Sequence, residues 1–313
     1  MGSTSADRWP PLPLSEWRES CATLHLYSQI VGKTRLALAP MENHWWQVVF
    51  YLDARGLTTS PMPFGDRTVQ VDFDFIDHKL IARCSDGAYA SMALRPISVS
   101  QFYQEYRALL DAVGVEVDIW PVPVELADAI PFAEDREHAS YDADAVNRFW
   151  RVLVQSDQVM REFRGRFLGK ASPVHFFWGS FDLAATRFSG RRAPEHPGGV
   201  PNLGDWVVRE GYSHELISAG FWPGGGAVDE PAFYTYAYPE PAGFAEATVA
   251  PEGAYYNRQL REFILPYEVV RTALSPDETL LQFLQSTYEA AADLAQWDRA
   301  ALERGADDLD GRR

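Results

Sequence analysis

The sequence predicts an α+β fold, mainly antiparallel sheet with flanking helices, and suggests an arrangement as two similar halves. Two kinds of pattern carry this prediction. Residues 69–75 alternate apolar Val69, Val71, Phe73 and Phe75 with polar Gln70, Asp72 and Asp74, the period of a strand. Elsewhere, apolar residues recur every three or four positions behind capping residues, the period and punctuation of helices.

Taken in order, residues 9–14 form a Pro-rich lead-in, and residues 15–31 read as a helix with Trp17, Cys21, Leu24, Ser28 and Val31 on one face. Gly32 fits its C-cap. Strands are then expected at 34–38, 45–52 and 69–75, followed by a hairpin of 80–84 and 89–94 around Asp86-Gly87. Ser98 with Gln101 forms a capping box that opens a helix to about Val113, where Gly114 stops it. Residues 115–120 suit one more strand. Residues 121–141, with mixed charges and several prolines, read as a connection. Behind Asp142 as N-cap, an amphipathic helix covers 143 to about 167. Strands follow at 174–188, 213–222 and 232–238. Ser275, Pro276 and Glu278 then announce a last helix reaching about Leu302.

The resulting division is 1–120, a connection over 121–142, a second half over 143–302, and an acidic tail over 303–313 expected to fray. Each half opens with a helix ending in a Gly-Lys pair, Gly32-Lys33 or Gly169-Lys170, and closes with a capped helix. A cleft between such halves is a natural ligand site.

Composition bounds the function. A length of 313 residues is roughly two domains' worth. With 46% hydrophobic and 13% aromatic residues the chain builds a large core, which excludes disorder. Lys and Arg number 28 against 44 Asp and Glu, a net charge of −16 that repels phosphate backbones and anionic lipid. Neither nucleic acid nor membrane is therefore an expected partner. No apolar run approaches a membrane span, residues 1–9 lack a signal-peptide core, and Cys21 and Cys84 form no disulfide framework. A cytoplasmic location is expected.

Few motifs survive inspection. Val31-Gly32-Lys33-Thr34 resembles the end of a phosphate loop, but Tyr27 stands where the leading glycine belongs. Asp72, Asp74, Asp77 and His78 offer hard-metal ligands, yet a solvated strand face explains Asp72 and Asp74 equally well. His25 and Gln29 lie one helical turn apart, with Lys33 just beyond, on a polar stripe beside the apolar face.

The richest region is 174–238. His175 to Asp182 is apolar on both faces, as a central strand would be, with Trp178, Ser180 and Asp182 on one face and His175 on the other. A buried Asp182 requires a partner, and Arg187 or Arg191 is available. His214 and Glu215 converge on one ligand only at a strand end. Tyr234, Tyr236 and Tyr238 form an aromatic ladder. The long Gly- and Pro-rich segments 189–211, 223–231 and 239–253 are of the kind that cover sites.

Residues 9–36, 178–194, 212–224 and 231–241, with the strings Gly-Ser-Phe-Asp-Leu and Phe-Trp-Pro-Gly, together resemble a bacterial family of unknown function over about residues 9–297. The resemblance implies no activity, cofactor or catalytic residue.

The residues thus point to a small-molecule-binding protein, or an enzyme without a recognised motif, whose pocket is roofed by the loops after Phe188 and Trp222. Trp178 and Tyr236 would line it and Arg187 would meet an anion. His175, Asp182, His214 and Glu215 would supply polar contacts, with Ser180, His25 and Lys33 as further candidates. One alternative is a metal-dependent hydrolase using a subset of His175, Asp182, His214 and Glu215. Another is a structural or interaction protein with an exposed aromatic patch.

Overall fold

The computed structural model describes residues 8–305; most of the tail expected to fray, 306–313, lies outside them. Helix α1 (Leu14–Leu38) is buried nearly all round over residues 20–35, polar Gln29, Lys33 and Thr34 included, as a helix surrounded by the rest of the fold must be. It does not stop at Gly32. An added Cβ there would run into the Trp178 indole, so the glycine serves packing and the helix continues through 34–38, where a strand was expected.

A 3₁₀ turn (Asn43–Val48) occupies the first half of the next expected strand. The first sheet follows: β1 (Tyr51–Leu52), β2 (Gly56–Thr58), β3 (Met62–Phe64), β4 (Arg67–Asp74), β5 (Lys79–Cys84) and β6 (Tyr89–Ala93). It is antiparallel, in the order β1-β2-β4-β5-β6, with β3 also on β4. The solvated face expected for Asp72 and Asp74 is in fact covered. Asp74 takes Arg55 at 2.6 Å and the backbone amides of Ile76 and Asp77, while Asp72 pairs with Arg83 at 3.2 Å.

Helix α2 (Val99–Ala112) starts where Ser98 accepts from the Gln101 amide. Residues 115–120 form no strand but belong to an irregular segment running to 142. Helix α3 (Ala143–Gly165) begins at Asp142, which caps Ala145. Gly169 lies beyond its end and Gly32 inside α1, so the two Gly-Lys pairs do not occupy matching positions.

The second sheet comprises β7 (His175–Phe177), β8 (Asp182–Arg192), β9 (His214–Trp222), β10 (Ala232–Tyr238), β11 (Tyr255–Asn257) and β12 (Glu262–Pro266), in the order β11-β12-β10-β9-β8-β7. Residues 174–188 are therefore a hairpin, not one strand. Helix α4 (Asp205–Gly211) interrupts the loop after β8, and α5 (Tyr267–Arg271), α6 (Pro276–Leu294) and α7 (Arg299–Leu302) close the chain. Phe50 and Phe176 exchange backbone hydrogen bonds of 2.9 Å each and so stitch the two sheets together.

Strand parity divides the second sheet. Leu183, Ala185, Ile217, Ala219, Phe221, Phe233 and Leu265 belong to the buried core, on the side against which α3 and α6 pack. Asp182, Ala184, Thr186, Leu216, Ser218, Tyr234 and Tyr236 face the opposite way, into a cavity. Among the described residues no helix is long and apolar enough to cross a membrane.

Candidate functional site

Two cavities, of about 690 and 760 Å³, lie on this second face. The first is walled by α1, the 3₁₀ turn, residues 118–125 and the sheet, and is roofed by residues 200–212. Its indoles come from Trp45, Trp46, Trp120, Trp178 and Trp206. Trp120 and Trp206 are 54% and 64% exposed and form an apolar rim. The second cavity runs from the N-terminal turns of α1 to the loop Pro223-Gly224-Gly225-Gly226 and β12. The two share a wall made by Glu125, Ser180, Asp182, Tyr212, Tyr234 and Tyr236.

That wall is a network of carboxyl and hydroxyl groups. The Ser180 hydroxyl donates to one Asp182 oxygen and the Tyr234 hydroxyl to the other. Tyr212 and Tyr236 hydroxyls lie 2.9 Å apart. Gly220 makes this possible, since a Cβ at that position would collide with the Tyr234 hydroxyl and with the Leu183 carbonyl. Burial raises the pKa of Asp182 against the two hydrogen bonds that lower it. Glu125 is pushed up to about 7, first by burial and then by the Asp182 charge, and Glu262 on β12 is raised to about 7 in the same way. Glu125 and Glu262 thus change protonation near neutrality.

Glu125 is held by backbone as well as by burial. It adopts a left-handed φ of 63°, a conformation that non-glycine residues seldom take. Its amide donates to the Pro201 carbonyl at 2.8 Å, and its carboxylate packs where a side chain on Gly179 would sit. Next to it, Gln29 of α1 clamps Val124 through both backbone groups, at 2.8 and 2.9 Å. His25 donates to the Gly179 carbonyl at 2.8 Å and stacks on Phe181 at 4.9 Å. Burial lowers the His25 pKa to about 4, which keeps the ring neutral.

The structure brings Lys33, Trp178, Ser180, Asp182 and Tyr236 to the first cavity and His25 to the second. The other candidates lie elsewhere. Arg187 sits at odd parity in β8, so it faces the helices and meets neither Asp182 nor the two cavities. It is 1% exposed, stacked on Phe163 at 3.4 Å and Tyr288 at 4.2 Å, and donates to the Phe163 carbonyl. Arg191 pairs instead with Glu215 at 2.7 Å.

His175 pairs with Ala184 and so shares the face of Asp182, contrary to the single-strand expectation, because the turn at 178–181 reverses the chain. It is covered by Trp46 and Tyr51, and burial lowers its pKa to about 3. His214 meets His44 at 5.7 Å. His175, Asp182, His214 and Glu215 thus have separate partners, and among the described residues no group of three or more His, Cys, Asp and Glu could hold a metal ion.

Glu125 and Glu262 went unnoticed in the sequence. Glu262 carried a signal, since it opens a strand whose next residues, Phe263 to Leu265, are all buried. Glu125 carried none within its Pro-rich connection. A family model described as a family of unknown function (DUF5996) matches residues 9–304. No curated protein and no solved structure matches the chain.

Proposed function

We propose, for a chain that belongs to the DUF5996 family of unknown function and whose chemistry must be argued from its own side chains, that the protein binds a small organic molecule with a flat apolar body and holds its polar end at the Asp182–Tyr234 wall. The observation that supports this reading best is the wall itself. A buried carboxyl, bonded by two hydroxyls, stands at the inner end of a cavity lined by five indoles. Apolar walls with a few convergent polar groups are the usual make-up of a ligand site. Indole faces favour flat partners.

Titration of the protein with a panel of aromatic and alicyclic amides and phenols, read by tryptophan fluorescence and calorimetry, tests the reading. One saturable site is expected, with affinity about tenfold or more weaker in Asp182→Ala, since that change removes a buried polar contact. Its melting temperature should stay within a few degrees of the unaltered protein. Saturable binding that Asp182→Ala leaves untouched would sink the assignment of the wall.

Catalysis by proton transfer has a specific observation in its favour. Glu125 lines the same wall with a pKa of about 7, the value suited to a group that both gives and takes a proton at neutral pH.

A further inference from the structure

Along the polar stripe of α1, one side chain has no hydrogen-bond or ion-pair partner among the described residues. His25, Gln29 and Lys33 follow one another every four residues along a single stripe of the helix. The first is engaged by the Gly179 carbonyl and the second by the backbone of Val124. Lys33 is 2% exposed, lines the first cavity, and among the described residues makes no hydrogen bond or ion pair. Its ammonium lies only over aromatic faces, 4.8 Å from the Trp120 ring centre and 5.9 Å from that of Trp178. Such contacts attract a cation without neutralising it, and a buried charge left unpaired is costly. The surroundings are built for this arrangement. Gly32 lets the Trp178 indole lie flat on the helix, and its Nε1 donates to the Val48 carbonyl at 2.6 Å, which fixes the ring beside Lys33. Burial lowers the Lys33 pKa only to about 8, so the amine is mostly protonated at neutral pH.

We infer that Lys33 anchors an anionic group of the ligand, and that this ligand is a monocarboxylate on a flat apolar body. The inference deepens the pocket reading and rests on it. One ammonium matches one negative charge. A second anionic group on the ligand would face Glu125 and Asp182 across the same cavity, where carboxyls already disfavour each other's ionisation. The ligand is thereby oriented, with its carboxylate between Trp120 and Trp178 and its neutral polar end at the shared wall.

The test compares naphthalene carboxylate with its neutral isostere, naphthalene carboxamide, by equilibrium dialysis against the full-length protein. The unaltered protein should bind the carboxylate at least about tenfold more tightly than the amide, the factor a charge-assisted contact supplies. Lys33→Met should abolish that preference by weakening the carboxylate at least about tenfold more than the amide, and a cooperative thermal melt is the check that the variant is folded. Lys33→Arg, which keeps the charge, should retain part of the preference. Equal binding of both probes by the unaltered protein overturns the inference and leaves the pocket reading intact. So does a preference that survives in Lys33→Met. Binding of neither probe by the unaltered protein overturns the pocket reading, and the inference with it.

Discussion

Gly220 and Tyr234 show how single atoms set the site. The two residues are cross-strand partners, and the phenol reaches Asp182 only because its neighbour lacks a side chain. Gly220→Ala would therefore push either the phenol or the Leu183 carbonyl, and backbone gives way reluctantly. A loss of about 1–3 kcal/mol in urea unfolding is expected, the usual cost of overpacking, together with lost ligand binding. Unchanged stability would mean that the phenol moves aside freely.

Glu125 makes a pH prediction whose sign follows from its raised pKa. The folded chain keeps a proton that the unfolded chain releases near pH 4.5, so its contribution is complete below that value and disappears as pH rises through about 7. Glu125→Gln should thus match the unaltered protein at pH 4 and exceed it by roughly 1–3 kcal/mol at pH 8. Denaturant melts at the two pH values decide this. His25 and His175 act in the opposite sense. Their lowered values of about 4 and about 3 withdraw stability as pH falls below 6.5.

Among the elements, α1 carries most of the burden. Its polar stripe positions two loops from the far side of the site, one through Val124 and one through Gly179. Gln29→Leu leaves both backbone groups of Val124 buried without partners. It should cost about 2–4 kcal/mol, and faster amide exchange and proteolysis should be confined to residues 118–126. A uniform increase in exchange across the chain would contradict that local role.

Capped or alternating segments were legible in the sequence. Asp142 and Ser98 start their helices, and β4, β5, β6 and β10 lie close to where period and turn residues place them. The misreadings share one physical source, tertiary contact overriding a local signal. Gly32 looks like a terminator but is a packing position for Trp178. The apolar run 174–188 hides a reversal whose turn holds Phe181 at a left-handed φ of 59°, where a non-glycine residue is rarely anticipated. That missed turn misassigned the face of His175. The odd spacing from Asp182 to Arg187 sets the two side chains on opposite faces of one strand. Glu125 belongs to the site through contacts with Gly179 and Pro201, distant in the chain, which no local pattern records.

At the scale of the whole molecule, the aromatic cavity lies where α1 and residues 118–125 meet the second sheet, so its occupant would bridge segments remote in the chain. A ligand at a hundred times its dissociation constant should add about 2.7 kcal/mol to the unfolding free energy. Because those segments are stabilised together, amide protection should rise in α1 and β10 alike. Protection limited to one of them would place the ligand elsewhere.

The distance in sequence between His25 and Gly179, 154 residues, also has a consequence for synthesis. Helix α1 leaves the ribosome before any of the backbone it binds has been made. At roughly 5–20 residues per second, the strand bearing Tyr236 follows Lys33 after about 10–40 s. Early in that interval, until Ile97 and Phe102 follow to receive Tyr27, a nascent helix displays Leu24, Tyr27, Ile30 and Val31 uncovered. The element that completes the pocket is thus the one most exposed to chaperones and to premature association while the polypeptide is being made.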